Sequence, residues 1–196
     1  MKYFLYDWGG ANEWLFHAIN NVHGDLLDRL MLLGTALGDH GNFPIYLALV
    51  ALMAISATGR GDRYDGATTK LWLGVLAVFS IAYVADAALL VWLKPLLDFP
   101  RPPLALPGGV IVVGTPEYHH SLPSGHSSFA MLVAASLWPV LGRVTKPLAV
   151  LFVAWVGLSR ISQGAHFPAD VVAGFISCLL VVLLVRFTVQ RLGHYG

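Results

Sequence analysis

Three short polar clusters interrupt an otherwise apolar chain: Lys94 to Pro102 (KPLLDFPRP), Ser121 to His126 (SLPSGH) and Ser159 to Asp170 (SRISQGAHFPAD). They hold three cations, Lys94, Arg101 and Arg160, together with two histidines, His126 and His166, and, among their acids, Asp170. A guanidinium fork matches two oxygens of a tetrahedral anion and a lysine adds a point charge, so this trio suits a phosphoryl group better than a carboxylate. Pro123, Ser124 and Gly125 precede an apolar helical run. Unpaired N–H groups at such a helix start, with the Ser124 hydroxyl, offer further donors to the same oxygens, and Gly125 lets the backbone come close.

His126 and His166 are the candidate reactive groups, because imidazole is both a nucleophile toward phosphorus and a proton donor near neutral pH. Asp170 follows His166 by four residues. A helix beginning near Pro168 places Asp170 in its opening turn, within reach of one imidazole nitrogen, and leaves the other nitrogen free to attack. Each piece has a plainer explanation when taken singly: a lone Arg or Lys at a helix end snorkels, Ser-Gly before a helix caps it, and an acid in a first turn answers the helix dipole. Three clusters that carry three cations and two histidines exceed what capping and snorkelling require.

The elements that must position these groups are membrane helices. Of 196 residues, 57% are hydrophobic and 12% charged, and mean hydropathy is +0.68. Five apolar stretches stand out, roughly 43–58, 71–93, 127–141, 147–159 and 171–185. Most are shorter than the roughly 20 residues that cross a hydrocarbon core, so each helix is expected to continue into polar residues. The expected fold is an all-α, polytopic transmembrane helical bundle with five clear spans, a sixth partial crossing near 26–38 being left open. Upstream, 13–21 and 26–37 read as interfacial amphipathic helices. The chain is expected to be one membrane-embedded domain, with N-terminal helices over 1–41 and the catalytic core over 42–191.

Alternation of five spans gathers all three polar clusters on one side. It gathers the Arg60, Arg63 and Lys70 loop, the Arg143 and Lys146 loop and the Arg186 and Arg191 tail on the other, which the positive-inside rule makes cytoplasmic. The clusters then face the periplasm or exterior of a plasma membrane, the inner membrane in a bacterium. Net charge is +1 with scattered basic residues, which excludes the basic footprint of a nucleic-acid binder. Cys178, the sole cysteine, reads as packing. The N-terminus lacks the uninterrupted apolar stretch of a signal peptide.

KPLLDFPRP, PSGH and SRISQGAHFPAD resemble, in order, the three signature motifs of the type 2 phosphatidic acid phosphatase superfamily, which includes membrane lipid phosphatases, bacterial nonspecific acid phosphatases and vanadium haloperoxidases. The resemblance runs from Lys94 to Asp170. It implies that Lys94, Arg101, Arg160, Ser124 and Gly125 bind phosphate, that His166 attacks phosphorus, that Asp170 orients it, and that His126 protonates the leaving oxygen. It implies hydrolysis with no metal and no other cofactor, on a lipid phosphate or pyrophosphate among membrane lipids, with no protein partner evident. The short chain is similar to small bacterial undecaprenyl pyrophosphate phosphatases, which often carry Asp where Gly125 stands; phosphatidylglycerophosphate, phosphatidate and lipid A are the other candidate substrates. Transfer of the phosphate to another lipid uses the same residues. An anion transporter is the non-enzyme alternative, disfavoured because transporters place polar groups near the midplane. Asp86, Glu117, His119, His120, Asp39 and His40 stand as secondary polar candidates.

Overall fold

The computed structural model describes residues 6–58 and 66–192. Arg60 and Arg63, part of the charge pattern used for orientation, lie outside them. Among the described residues the regular elements are all helical. Two N-terminal helices, α1 (Ala11–Asn20) and α2 (Asp25–Leu37), precede α3 (Phe43–Thr58), α4 (Gly66–Leu97), the short α5 (Pro102–Ala105), α6 (Gly125–Leu137), α7 (Thr145–Ser162) and α8 (Pro168–Leu192). Each of the five apolar stretches forms a helix. Among the described residues, three segments are long and apolar enough to cross a membrane, His40–Thr58, Gly66–Ala105 and Pro168–Leu192, while α6 is a shorter apolar helix.

The core lies where α4, α6 and α8 meet. Phe79, Phe129, Leu132, Cys178 and Val182 are fully buried there, so Cys178 is indeed a packing residue. Outward faces are equally apolar: Ile45, Leu52, Val84, Val91, Trp92, Leu180 and Leu184 are all exposed. Helices apolar on every side are stable where the surrounding solvent is hydrocarbon. The molecule is an integral membrane protein.

Close backbone approach sets how α8 sits against the start of α6. A Cβ built on Gly174 would lie 2.5 Å from the Ser124 carbonyl oxygen, so only glycine lets the helices meet at that separation. The N-terminal helices also pack against the bundle. Along α1, Asn12, Phe16 and Asn20 recur every fourth residue and are buried, while α2 lies along α7. Trp155 donates its indole N–H to the Leu30 carbonyl at 3.1 Å, and Thr35 and Ser159 share a hydroxyl contact at 2.9 Å. The opposite face of α2 exposes Leu26, Leu30 and Leu33, which keeps the amphipathic character read from the sequence.

Candidate active site

The three polar clusters converge. Lys94 lies in the last turn of α4, Arg101 just before α5, Gly125 and His126 open α6, Arg160 closes α7, and Asp170 is in the first turn of α8. Helices that end at the site alternate with helices that begin there. Lys70, Lys146 and Arg186 therefore occupy the far ends of the same helices. Lys94, Arg101, Gly125, His126, Arg160 and His166 line one cavity of about 330 Å³.

His166 sits in the turn between α7 and α8. Gly164, at φ +71°, reverses the chain after α7, and a Cβ there would fall 2.6 Å from the Ile111 carbonyl oxygen; the left-handed cap and the tight contact both require glycine. The following amides of Ala165 and His166 return to the Arg160 carbonyl at 3.0 and 3.2 Å. His166 is 1% exposed and Asp170 fully buried.

The ring's hydrogen bonds fix its tautomer. Arg101 Nη1 lies 3.2 Å from His166 Nε2, and a guanidinium can only donate, so Nε2 carries the lone pair and Nδ1 the proton. Nδ1 then faces Asp170 Oδ2 and Ser121 Oγ, both at 3.4 Å. The carboxylate is itself held on both oxygens: Ser121 donates to Oδ2 at 2.5 Å, the Phe167 amide to Oδ2 at 2.9 Å, and the Tyr6 phenol to Oδ1 at 2.9 Å. Burial, then the charges of Arg101, Arg160 and Lys94, push the His166 pKa well below its ordinary value. The imidazole thus rests neutral, with its unprotonated nitrogen beside Arg101.

The cations are aimed by loops. Arg101 donates Nε to the His119 carbonyl at 2.9 Å and Nη1 to the Ala165 carbonyl at 3.3 Å, and its Nη2 pairs with Glu117 at 2.6 Å. Arg160 reaches Gln163 and Thr35 at 3.3 and 3.4 Å, and its buried Nε has no hydrogen-bond partner among the described residues. A phosphoryl oxygen would satisfy that N–H. His126 Nε2 is 3.5 Å from Asp39 Oδ2. Ser124 is placed differently from the other expected phosphate ligands: its buried hydroxyl accepts from the Ser127 hydroxyl at 2.9 Å and caps α6 through the Ser127 amide at 3.5 Å. Gly125, not Ser124, lines the cavity.

Residues 72–193 match the family model described as the PAP2 superfamily. The chain belongs to the PAP2 superfamily. It is 34% identical over 156 residues, 78% of either protein, to decaprenylphosphoryl-5-phosphoribose phosphatase of Mycobacterium tuberculosis. The fold of this PAP2 phosphatase matches the crystal structure of LpxE from Aquifex aeolicus with a TM-score of 0.74 and 24% identity, covering 89% of this chain and 94% of that one. It also matches the transmembrane PAP2-type phosphatidylglycerolphosphate phosphatase of Bacillus subtilis, with a TM-score of 0.67, 22% identity and coverage of 93% and 86%. The enzyme is a membrane phosphatase acting on phosphoric monoesters.

Several residues of this PAP2 phosphatase carried no clear sign of their place. Ser121 stands inside a polar cluster, yet nothing in its spacing announces contact with Asp170. Tyr6 is 164 residues from its partner and left no local signal. Asn20 ties α1 to the core through the Ile111 and Ser162 carbonyls at 2.8 and 2.9 Å; the four-residue spacing of Asn12, Phe16 and Asn20 was the available clue.

Proposed function

We propose that this enzyme hydrolyses a membrane-lipid phosphate through a phosphohistidine on His166, without a metal ion, at the non-cytoplasmic face. One observation carries the reading: His166, its Nε2 held 3.2 Å from Arg101, lines a cavity shared by Lys94, Arg101, Arg160 and His126, while Asp170 faces the opposite nitrogen.

As phosphate enters, the Arg101 N–H that rests on Nε2 shifts to a phosphoryl oxygen and frees the lone pair. Nε2 attacks phosphorus in line. The P–O ester bond breaks, and the leaving oxygen takes its proton from His126, which must enter the step as an imidazolium. Burial and then Arg160 lower its pKa to about 3 in the empty site, so the bound anionic phosphate, added to Asp39 at 3.5 Å, has to supply the charge that holds the proton. The imidazolium that forms at His166 is stabilised by Asp170. A water then gives its proton to His126 and attacks phosphorus; the P–N bond breaks, inorganic phosphate leaves and Nε2 recovers its lone pair. Three cations and the backbone amides at the α6 start stabilise charge on the equatorial oxygens, the task that divalent ions perform in many phosphoryl-transfer enzymes.

Lipid access follows from the apolar side of the cavity, lined by Ala87, Leu90 and Val91 of α4. Val91 and Trp92 face outward, so a chain leaving the cavity past α4 enters hydrocarbon. A count of five spans would set the site opposite Lys70, Arg143, Lys146, Arg186 and Arg191, and the positive-inside rule then supports the periplasmic side of a bacterial inner membrane. The M. tuberculosis relative, named for a phosphorylated decaprenylphosphoribose, and the B. subtilis fold neighbour, named for phosphatidylglycerolphosphate, support a phosphomonoester on a lipid headgroup. Undecaprenyl pyrophosphate is the weaker candidate among those raised by the sequence.

The test is rapid quenching with a ³²P-labelled lipid monophosphate in excess EDTA. The expected result is an acid-labile, alkali-stable phosphoenzyme that is absent from His166→Ala. Activity lost in EDTA and restored only by a divalent ion would overturn the mechanism.

A further inference from the structure

At the end of the bundle away from His166, α6 is too short to reach the far surface. Its 13 residues rise about 20 Å, roughly 10 Å less than a hydrocarbon core, while α4 and α8 run on beside it. The last carbonyls of α6 therefore need a donor at membrane depth. Arg186 of α8 supplies it: Nη2 donates to the Ala135 and Ser136 carbonyls at 2.5 and 3.5 Å. A guanidinium carries five N–H groups. Capping α6 uses those of one nitrogen and leaves Nε and Nη1 to other acceptors.

Two apolar cavities share that guanidinium. One, of about 600 Å³, lies between Leu71, Gly74 and Val78 of α4, Pro139 and Val189. The other, of about 380 Å³, lies between Met131 of α6, Val153 of α7, Leu183 of α8 and Trp138. Both fall in the range of roughly 300–1,000 Å³ that holds small ligands. Leu71 and Leu73 on the first and Val150 and Leu183 on the second are exposed, so in a membrane both cavities open onto acyl chains. Each also has a cation of its own. Lys70 lines the first, and Lys146 lies 5.2 Å from the ring centroid of Trp138 in the second. No acid among the described residues lines either cavity. Apolar walls that meet at positive side chains complement a two-chain lipid with an anionic headgroup.

We propose that Arg186 binds the phosphate of an anionic phospholipid in the leaflet away from the active site, with one acyl chain in each cavity. Nε and Nη1 donate to the phosphate oxygens while Nη2 stays on α6, and Lys70 and Lys146 add positive charge on either side. The lipid fills with hydrocarbon the space beside a helix shorter than the membrane and neutralises a cation held at membrane depth. Snorkelling alone would carry the head of Arg186 outward to water; here it turns inward to the α6 carbonyls and borders both cavities. Arg186 lies about 27 Å along α8 from Pro168, so the site is separate from the phosphate pocket and does not depend on the reaction proposed for His166.

The experiment is native mass spectrometry of the purified, delipidated enzyme. Phosphatidylglycerol and phosphatidylcholine with identical oleoyl chains are supplied at equal concentration, so that the two compete in one sample for the first bound position. Both are phosphodiesters, and neither is a phosphomonoester substrate. The wild-type enzyme is expected to take phosphatidylglycerol over phosphatidylcholine by about fivefold or more, the factor that one basic residue contributes at a lipid headgroup. Arg186→Gln should bring that ratio to within about twofold of one. Gly74→Phe keeps the guanidinium and fills the larger cavity, where a Cβ on Gly74 meets nothing within 4 Å; it should lower occupancy by the first lipid about fivefold or more. Lipid held in the catalytic cavity instead would keep both its ratio and its occupancy in these variants. A wild-type ratio near one, a preference that survives Arg186→Gln, or an occupancy that Gly74→Phe leaves unchanged would overturn the site. If Arg186→Gln fails to fold for want of the α6 cap, Gly74→Phe decides alone: the fall supports the site and an unchanged occupancy overturns it.

Discussion

The Tyr6 phenol donates a 2.9 Å hydrogen bond to Asp170 Oδ1, while Ser121 donates at 2.5 Å to the other carboxylate oxygen. The acid behind His166 is thus clamped from two directions, by residues far apart in the sequence. Burial, and then the adjacent carboxylate, push the Tyr6 pKa up, so the phenol stays protonated and remains a donor. Partners of this kind fix the ring that does the chemistry. Tyr6→Phe should lower kcat about tenfold with KM changed by less than about twofold, measured on a lipid monophosphate. A loss of thermal stability with kcat intact would make Tyr6 a packing residue.

The depressed pKa of His166 has a directional consequence. In the proposed mechanism only the neutral ring attacks, so lowering its pKa from the ordinary 6.5 keeps the nucleophile competent into more acidic solution. The acidic limb of kcat/KM should lie below that value. Burial and three neighbouring cations cause the shift; Lys94→Gln removes one of them and should move the limb to higher pH. The second ionisation of the substrate phosphate is common to both enzymes and cancels in the comparison. A limb that stays in place would show that Lys94 does not act on the nucleophile.

Arg160 tests geometry against charge. Its guanidinium is positioned by Gln163 and Thr35, with a buried N–H left for an oxygen. Arg160→Lys retains the charge but loses the fork, and kcat/KM should fall by about 10²-fold or more. Near-normal turnover would mean that the residue only anchors the end of α7.

Gly174 tests the packing that carries the site. Even Gly174→Ala places a methyl group 2.5 Å from the Ser124 carbonyl oxygen, and the strain should cost about 1–3 kcal/mol of stability. Because Ser124 caps the helix that presents His126, activity should fall with Tm. Gly74→Ala, with open space at its Cβ position, is the control and should be neutral or slightly stabilising.

Most of the site was legible because its chemistry is concentrated in short, ordered clusters: Lys94, Arg101, His126, Arg160, His166 and Asp170 were readable as one phosphate site, and they do converge. The helices were readable because long apolar runs admit few alternatives. Ser124 was half-read, since a serine before a helix both caps and donates, and spacing cannot say which; the structure commits its hydroxyl to Ser127. The N-terminal helices were read as amphipathic, but their docking on α7 depends on Asn20 meeting carbonyls 91 and 142 residues away. Such pairings are set by tertiary packing and leave no local periodicity. Asp86 and His40 could be noticed singly, but only the fold brings them together.

The ion pair between Arg101 and Glu117 gives the empty enzyme an anion of its own. Glu117 is about half exposed, so its carboxylate can swing out into water, whereas Arg101 is nearly enclosed. If Arg101 binds phosphate as proposed, docking the substrate is a swap of one negative group for another, and the tethered carboxylate is waiting to take the guanidinium back as the product departs. An active centre that must grip phosphorus tightly is thereby spared from becoming a trap for the orthophosphate it makes.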